Sequence, residues 1–395
     1  MAWKTLKELK LEGSRVLMRV DFNVPLSYNG DIDDDTRIRS ALPSIEHIAG
    51  SGASLVLISH LGRPGGEKKP SLSLEVVAHR LGELTDYPVK FAKECVGEEA
   101  EDMVRGLKPG EILLLENLRF YPGEKNNDSD FAARLARYGD VYVNDAFGTA
   151  HRAHASTVGV PLLFEKKGAG FLLEKELKVL HGLLEDPDRP FVAVLGGVKI
   201  SGKINLIENL LDVVDRIVIG GAMAFTFFRA AGLETGNSIV NEEYLGMCRE
   251  LMDVRNEQGE KKIMLPVDCV VAEEVDEYSE FRTVSSGDIP EEWVGVDIGE
   301  KSVKLFAEEL DGAGTIFWNG PMGIFENKDF AEGTRGVARA IAESDARTVV
   351  GGGDSVSALN SMHMADRIGH ISTGGGASLT LLEGSVLPAV EALGR

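Results

Sequence analysis

The 395-residue chain is 43% hydrophobic and 27% charged and carries a formal net charge of −21. Its length predicts two domains, and its acidic balance argues against nucleic acid or an anionic membrane as a partner, because both require a basic face. No segment has the ~18 to 20 uninterrupted apolar residues of a membrane span, and the first residues lack the apolar core of a signal peptide, so we expect a cytoplasmic protein.

Short apolar runs recur between longer helical patterns along the whole chain. The first series of runs begins at Val16, Ser54, Ile112 and Val141. The second series begins at Phe191, Arg216, Lys262, Thr315 and Arg347. Runs so rich in Val, Ile and Leu are typical of buried parallel strands. The alternation predicts an α/β fold with two doubly wound, Rossmann-like parallel-sheet domains.

A helical pattern lies between the two series. Leu173, Leu177, Leu180 and Leu184 recur at helical spacing before Pro187 ends the pattern. Residues 169–185 are therefore predicted to form a connecting helix. A hinge element and a plain crossover helix both fit this pattern.

Glycine turns follow four segments of the second series. They are Gly196-Gly197, Gly220-Gly221, Gly351 to Gly353 and Gly374 to Gly376. Glycine lets backbone N–H groups approach a phosphate or a flat base, and a following helix N-terminus adds positive potential. Four such turns at the carboxyl ends of strands favour a nucleotide site over turn chemistry alone.

Polar and basic residues follow the strands of the first series instead. They are Asp21, Asn23, His60, Arg63, Arg119, Asn144, Asp145, His151 and Arg152. Several arginines on one rim would suit a small acid that carries both carboxylate and phosphate. A solvated charge or a structural ion pair is the alternative for any single arginine.

Two lysines follow the first glycine turn of the second series. Lys199 and Lys203 would share one face of an opening helix, where both ammonium groups could hold the oxygens of a transferring phosphoryl group. The segment is not a GxxxxGK[ST] phosphate loop, and a GxGxxG fingerprint is missing after the first strand, where VDFNVPL stands.

Three further residues of the second half are candidates for nucleotide binding. Asp354 enters a predicted helix, where it is either an N-cap or a carboxylate for Mg²⁺. Asn319 ends a strand. Glu326 is either a hydrogen-bond acceptor for ribose hydroxyls or a solvated loop residue.

Several long segments together resemble the signature segments of the phosphoglycerate kinase family, in that family's order. They are RVDFNVP from Arg19, SHLGRP from Ser59, LENLRF from Leu115, VNDAFGTAHRAHAS from Val143, GGVKISGK from Gly196, WNGPMGIFE from Trp318, GGGDSVS from Gly351 and STGGGASLTLLEG from Ser372. The resemblance implies reversible phosphoryl transfer between ATP, with Mg²⁺, and the carboxylate of 3-phosphoglycerate. It also implies an acid-binding domain of residues 1–168 plus 385–395, a nucleotide-binding domain of residues 169–384, hinge closure that brings the ligands together, and a monomer.

The resemblance also implies roles for individual residues. The acid substrate would be bound by Asp21, Phe22, Asn23, Arg37, His60, Leu61, Gly62, Arg63, Arg119 and Arg152. The nucleotide would be bound by Gly197, Lys203, Gly220, Gly221, Gly295, Asn319, Glu326, Gly352, Gly353, Asp354 and Ser355, with Asp354 on Mg²⁺. Arg37, Lys199 and Lys203 would act on the reacting groups. The acceptor carboxylate is already ionised and needs no general base, so His60 is expected to be an anion donor, and the role of His151 stays open.

Two other function classes remain to be weighed. A nicotinamide-dependent dehydrogenase would require GxGxxG with an acidic residue ~20 positions on, and the sequence has neither. A two-lobed binding protein for phosphorylated acids would not need Lys199 and Lys203 together with Asp354.

Overall fold

The computed structural model describes residues 3–276 and 279–395. The chain divides into two compact units, one of Met1–Lys178 with Val386–Arg395 and one of Val179–Ser385. The sequence placed the first boundary at residues 168 and 169, ten residues earlier, and the second at residues 384 and 385.

The first unit is built on a seven-stranded sheet. Its strands are β1 (Lys4–Thr5), β2 (Arg15–Arg19), β3 (Ser54–Ile58), β4 (Val89–Ala92), β5 (Ile112–Leu115), β6 (Val141–Asn144) and β7 (Lys167–Ala169). They are ordered β1-β7-β6-β2-β3-β5-β4, and every pairing is parallel. All side chains of β3, β5 and β6 are buried, because helices cover both faces of such a sheet.

Helices follow these strands, and the longer ones are amphipathic and bury apolar residues. The helices are α1 (Thr36–Gly50), α2 (Glu75–Leu84), α3 (Glu98–Arg105), α4 (Pro122–Lys125), α5 (Ser129–Ala136) and α6 (Phe171–Glu185). Helix α6 corresponds to the predicted connecting helix. Leu173, Leu177 and Leu180 are at most 1% exposed, and the boundary between the two units falls within α6, after Lys178.

The second unit contains a six-stranded parallel sheet and a three-stranded antiparallel one. Its strands are β8 (Phe191–Leu195), β9 (Arg216–Ile219), β10 (Ile263–Met264), β11 (Asp268–Ala272), β12 (Phe281–Ser285), β13 (Val294–Ile298), β14 (Thr315–Asn319), β15 (Arg347–Gly351) and β16 (His370–Ile371). The larger sheet is ordered β10-β9-β8-β14-β15-β16. Numbered along the chain within this sheet, that order is 3-2-1-4-5-6, the order of dinucleotide-binding folds.

The remaining helices of the described residues lie in the second unit, except for the last one. They are α7 (Ile204–Leu211), α8 (Met223–Ala230), α9 (Leu245–Met252), α10 (Glu300–Asp311), α11 (Glu332–Glu343), α12 (Gly353–Ser361) and α13 (Gly376–Leu382), followed by α14 (Pro388–Gly394). Helix α14 returns to the first unit, where the amide of Ala389 donates to the carbonyl of Ala150 at 3.1 Å.

One predicted strand was wrong. The run from Lys262 to Ala272 was expected to be a single parallel strand, but only its first part pairs with β9 as β10. Pro266, which has no N–H to donate, separates β10 from β11. Strand β11 then pairs antiparallel with β12 and β13, a sheet that the sequence did not predict.

The predicted α/β fold with two parallel-sheet units is otherwise confirmed. None of the helices in the described ranges is long and apolar enough to span a membrane.

Candidate active site

The topology of the first unit creates a crevice beside β2. The chain continues from β2 to β3, which is its neighbour on one side, and later returns to β6, which is its neighbour on the other side. Ligands of open α/β sheets bind where the strand order reverses in this way. The loops after β2 and β6 meet there: a Cβ atom built on Gly148 would collide with Oδ2 of Asp21 and lie 3.3 Å from Nη1 of Arg37.

Several predicted acid-binding residues are linked in this crevice. Nη1 of Arg37, near the start of α1, donates to Oδ2 of Asp21, which is 8% exposed. Oδ1 of Asn23 accepts from the amide of Gly62 at 2.8 Å, so the loops after β2 and β3 are tied together. Gly62 has φ +63, and its Cβ would lie 2.7 Å from Leu72, so both conformation and space favour glycine.

Arg119 is buried and incompletely paired. Its Nη1 donates to the carbonyl of Gly62 at 2.8 Å, whereas Nε and Nη2 have no hydrogen-bond partner among the described residues. Burial and the neighbouring guanidinium groups of Arg152 and Arg19 lower the pKa of Arg119 to about 10. Buried donors without acceptors are costly, so an anion between these guanidinium groups would relieve both the desolvation and the repulsion.

The loop after β6 supplies Arg152. Its Nε donates to Nε2 of His151 at 3.1 Å, so His151 acts as an acceptor that orients Arg152. Burial, and then the charge of Arg152, lower the pKa of His151. The role of His151, which the sequence left open, is therefore to accept a hydrogen bond from Arg152.

The other predicted acid-binding residues differ in exposure. The side chains of Phe22 and Leu61 are 0% and 1% exposed, so their side chains belong to the core. Only their backbone is suited to a ligand. Arg63, in contrast, is exposed on the loop after β3.

Sequence reasoning missed Arg19, the last residue of β2, which is 1% exposed. Its Nη2 lies 3.1 Å from Nδ1 of His60, and its Nε donates to Oγ of Ser156 at 2.9 Å. His60 is itself 3% exposed. Burial, followed by the charges of Arg19 and three other arginines, lowers its pKa well below the usual value, which makes the ring neutral.

The second unit has its own strand-order reversal, between β8 and β14. Nζ of Lys203 lies at this point and donates to the carbonyl of Gly196 after β8, at 2.5 Å, and to that of Asn319 at the end of β14, at 2.7 Å. Burial lowers the pKa of Lys203 to about 7, and the charge of Asp354 opposes this shift. A buried ammonium beside glycine turns is well placed for nucleotide phosphates.

Lys199 and Lys203 do not share one helical face, so that prediction was wrong. Residues Ile200–Gly202 form a 3₁₀ turn, and α7 begins only at Ile204. Lys199 precedes the turn in extended conformation, with φ −114° and ψ 126°, and its side chain is exposed. Lys203 points inward instead, so the two ammonium groups have different environments.

The glycines after β8 and β9 allow the backbones of these two turns to approach each other closely. Gly221 has φ +66, and its Cβ would lie 2.5 Å from the amide nitrogen of Gly197. A Cβ on Gly220 would collide with the sulfur of Met322. These close approaches explain why both turns require glycine.

Residues around the ends of β14 and β15 form the adjoining part of this site. Nδ2 of Asn319 donates to the carbonyl of Gly351 at 2.8 Å, and Oγ of Ser355 accepts from the amide of Gly320 at 2.6 Å. Gly352, with φ 94°, is the N-cap of α12, and Gly353 opens the helix. Asp354 follows in the first turn with its carboxylate exposed.

An apolar pocket adjoins the glycine turns. It is lined by Gly197, Gly221, Phe225, Gly295 and Met322, with further apolar residues around them. A Cβ on Gly295 would overlap the ring of Phe225, so glycine keeps the pocket wall flat. Glu326 is exposed, two residues beyond Ile324, which also lines the pocket. A flat apolar slot beside glycine turns is the kind of pocket that suits a purine base.

The donor set fits Mg²⁺ only as a companion of the nucleotide. Within residues 3–276 and 279–395 no three His, Cys, Asp or Glu side chains are grouped so that they could hold a metal ion. Mg²⁺ is usually held by one or two carboxylates, with water and substrate phosphates completing its shell. The single exposed carboxylate of Asp354 matches that arrangement.

Comparison with known proteins covers nearly the whole chain. The family model described as phosphoglycerate kinase matches residues 6–385. The chain is similar to the phosphoglycerate kinase of Rubrobacter xylanophilus, with 53% identity over 99% of this chain and 98% of the relative. It is similar to that of Moorella thermoacetica, with 52% identity over 100% and 99% of the two chains.

Solved structures agree with these relatives. The phosphoglycerate kinase of Coxiella burnetii has a TM-score of 0.88 and 39% identity, with 99% of this chain and 98% of that one covered. For the phosphoglycerate kinase of Pyrococcus horikoshii the TM-score is 0.84 and the identity 32%, with 98% of each chain covered. On its sequence, its fold and these comparisons, the chain belongs to the phosphoglycerate kinase family.

Proposed function

We propose that the two strand-order reversals hold the two substrates of the family reaction, the reversible transfer of a phosphoryl group between ATP and the carboxylate of 3-phosphoglycerate. The carrying observation is the ammonium of Lys203, which donates to the carbonyl of Gly196 after β8 and to that of Asn319 at the end of β14. The buried, incompletely paired guanidinium of Arg119 in the other unit, with further arginines beside it, supports an anionic second substrate.

The acid substrate would lie in the crevice of the first unit. Arg119, Arg152 and exposed Arg63 would bind its phosphate, since guanidinium groups match phosphate oxygens. Arg37, held by Asp21, would face the reacting carboxylate, with Asn23 and His60 as hydrogen-bonding partners. The backbone of Phe22, Leu61 and Gly62 would complete the wall.

The nucleotide would lie on the second unit. The base would occupy the slot beside Gly295, and Gly197, Gly220 and Gly221 would let the ligand approach the backbone. Lys203, Gly352, Gly353 and Ser355 would hold the phosphates, and Glu326 would accept from the ribose. Asn319 would fix the turn through Gly351. Asp354 would hold the Mg²⁺ that accompanies ATP, which neutralises phosphate charge when bound.

Catalysis in this arrangement consists of alignment and charge neutralisation. The acceptor carboxylate is already ionised, so no side chain has to remove a proton. Exposed Lys199 would meet the phosphoryl group in transit, and Arg37 would meet it from the acid side. Because the two ligands belong to different units, we propose that hinge closure brings them together and excludes water.

The pKa of Lys203 leads to a prediction about proton uptake. Near pH 8 its amine should be largely neutral without ligand, because its pKa is about 7. Bound phosphates favour the ammonium form, so ATP binding should take up close to one proton at pH 8 and almost none at pH 6, and nucleotide affinity should fall as the pH rises above 7. Calorimetric titration in buffers of different ionisation enthalpy measures this uptake.

Lys262 provides a matched control for that experiment. Its Nζ also donates to two backbone carbonyls, those of Leu211 at 2.6 Å and Val214 at 2.9 Å, but it lies outside the glycine turns. Lys203→Met should abolish the pH-dependent uptake, whereas Lys262→Met should keep it. Equal uptake in both variants would contradict the assignment.

The proposal also covers where the protein acts and in what oligomeric state. We propose that the chain acts in the cytoplasm as a monomer, which is what the resemblance of its sequence implies. Its net charge of −21 favours repulsion between copies.

The test of the proposed function is turnover of purified protein with MgATP and 3-phosphoglycerate, coupled to detection of 1,3-bisphosphoglycerate. Product formation that requires both substrates is the expected result. ATP binding without turnover would contradict the proposal and would favour the two-lobed binding protein instead.

A further inference from the structure

We propose that Arg19 is a positioning residue: its guanidinium donates to Nδ1 of His60 and so holds the ring in the tautomer whose Nε2 carries the proton offered to the acid substrate. The inference rests on the proposed function, in which His60 is a donor to that substrate. It adds to the predicted site a further residue, Arg19, whose role is to orient His60.

The hydrogen-bonding roles of the two groups decide the tautomer. Nη2 of Arg19 lies 3.1 Å from Nδ1 of His60. A guanidinium group can only donate, and a neutral imidazole has one donor and one acceptor nitrogen. Nδ1 must therefore be the acceptor, and the single ring proton lies on Nε2.

Arg19 is itself held by a buried chain of polar groups. Its Nη1 donates to the carbonyl of Val20, and its Nε donates to Oγ of Ser156 at 2.9 Å. Oγ of Ser156 in turn donates to Oε1 of Glu124 at 2.6 Å. Arg19, Ser156 and Glu124 are all at most 1% exposed, so the guanidinium plane is fixed before any ligand arrives.

The structure also contains the alternative partner that Arg19 excludes. Oδ1 of Asp21 lies 3.7 Å from Nδ1 of His60 and is buried with no hydrogen-bond partner in the described part of the chain. Without Arg19, a proton on Nδ1 would pair with this carboxylate. Nε2 would then present a lone pair to an anionic substrate, which is repulsive.

The charges around His60 keep the ring neutral, which is why the tautomer matters. Arg19, Arg119, Arg152 and Arg37 all disfavour a proton on the ring, and burial contributes most to its lowered pKa. Asp21 is the opposing charge beside Nδ1. A neutral ring can donate to the substrate only from one nitrogen, and Arg19 determines which.

The direct test is long-range ¹H–¹⁵N NMR of the wild-type protein labelled at histidine, with His60→Gln used to assign the signals. The expected pattern is a protonated Nε2 and an unprotonated Nδ1 that does not titrate between pH 6 and pH 8. A protonated Nδ1, or a mixture of tautomers, would overturn the proposal without any variant of Arg19.

Kinetics of Arg19→Met provide the second test. The variant should show the reversed tautomer and a KM for 3-phosphoglycerate raised about tenfold, as expected for one lost hydrogen bond to a charged group. The KM for ATP should be unchanged. Arg15→Met, at the opposite end of β2, removes an arginine from the same strand and should leave both constants unchanged.

A double-mutant cycle separates action through His60 from other effects. In the His60→Gln background, Arg19→Met should have little further effect on the KM for 3-phosphoglycerate. Additive effects would overturn the proposal, since they would mean that Arg19 acts independently of His60. An unchanged KM in His60→Ala, which has no donor at this position, would instead contradict the proposed role of His60, whatever tautomer the NMR shows.

Ser156→Ala covers the case in which Arg19→Met does not fold. It removes the acceptor of Nε but keeps the charge of Arg19. Partial reversal of the tautomer, with a smaller rise in the KM for 3-phosphoglycerate, is expected. A wild-type tautomer with that raised KM would overturn the proposal.

Discussion

Replacing Arg37 with alanine should reduce kcat about 10²- to 10³-fold, the loss typical of one donor aimed at charge that develops in the transition state. Arg37 is held against Asp21 at the crevice beside β2. The KM for ATP should change little, because the proposed nucleotide site belongs to the other unit. Steady-state kinetics with each substrate varied in turn measure this split.

Arg39 is the matched control on the same helix. Its Nε pairs with Asp35 at 2.8 Å, and its side chain is 53% exposed, outside the crevice. Exposed pairs of this kind contribute little, so Arg39→Ala should retain wild-type kinetics. Because Arg37→Ala leaves Asp21 without that partner, thermal unfolding of both variants should be recorded as well. A near-normal kcat in Arg37→Ala would contradict the proposal that Arg37 contacts the reacting carboxylate.

Replacing Lys199 with alanine should also reduce kcat about 10²- to 10³-fold, because an ammonium group would no longer meet the phosphoryl group in transit. ATP affinity should change far less, since Lys203 and the glycine turns still hold the nucleotide. Single-turnover kinetics together with a direct ATP titration distinguish the two effects.

Lys203→Ala should show the opposite pattern, in which ATP affinity falls more than the rate of phosphoryl transfer. Lys304→Ala, which removes an exposed lysine from α10, should leave both quantities unchanged. If Lys199→Ala weakened ATP binding as much as turnover, Lys199 would be a ground-state phosphate ligand and not a group that acts on the transferring phosphoryl.

Strands and turns were predictable where local chemistry determines them. Continuous apolar runs and glycine turns marked β8, β9, β14 and β15, because a strand buried on both faces needs uniform apolarity. The run from Lys262 to Ala272 looked the same, yet it divides at Pro266 between two sheets. Pro266 was a local signal that the strand breaks, but the partners β12 and β13 of its second part lie later in the chain, so the new sheet could not be predicted locally.

The candidate site was predictable to a similar degree. Rim residues such as His60 and Arg119 follow strands and could be found by position. Arg19 is the last residue of a buried strand, and its partner Ser156, with the Glu124 to which Ser156 donates, is more than 100 positions away. A buried arginine is unusual enough to be a signal, but its burial was visible only in the folded structure.

The spacing of Lys199 and Lys203 illustrates a different limit. An interval of four residues indicates a shared face only if the backbone is helical throughout. The 3₁₀ turn at Ile200–Gly202 breaks that condition, and helix starts are the least certain part of any pattern.

The return of α14 to the first unit has a consequence for synthesis on the ribosome. Residues 386–395 are made after every strand of both units, so the first unit cannot make all of its contacts until they have been synthesised. The amide of Ala389, which bonds to Ala150 one position before His151, arrives only with these last residues. The unit that is translated first therefore acquires one of its backbone partners last.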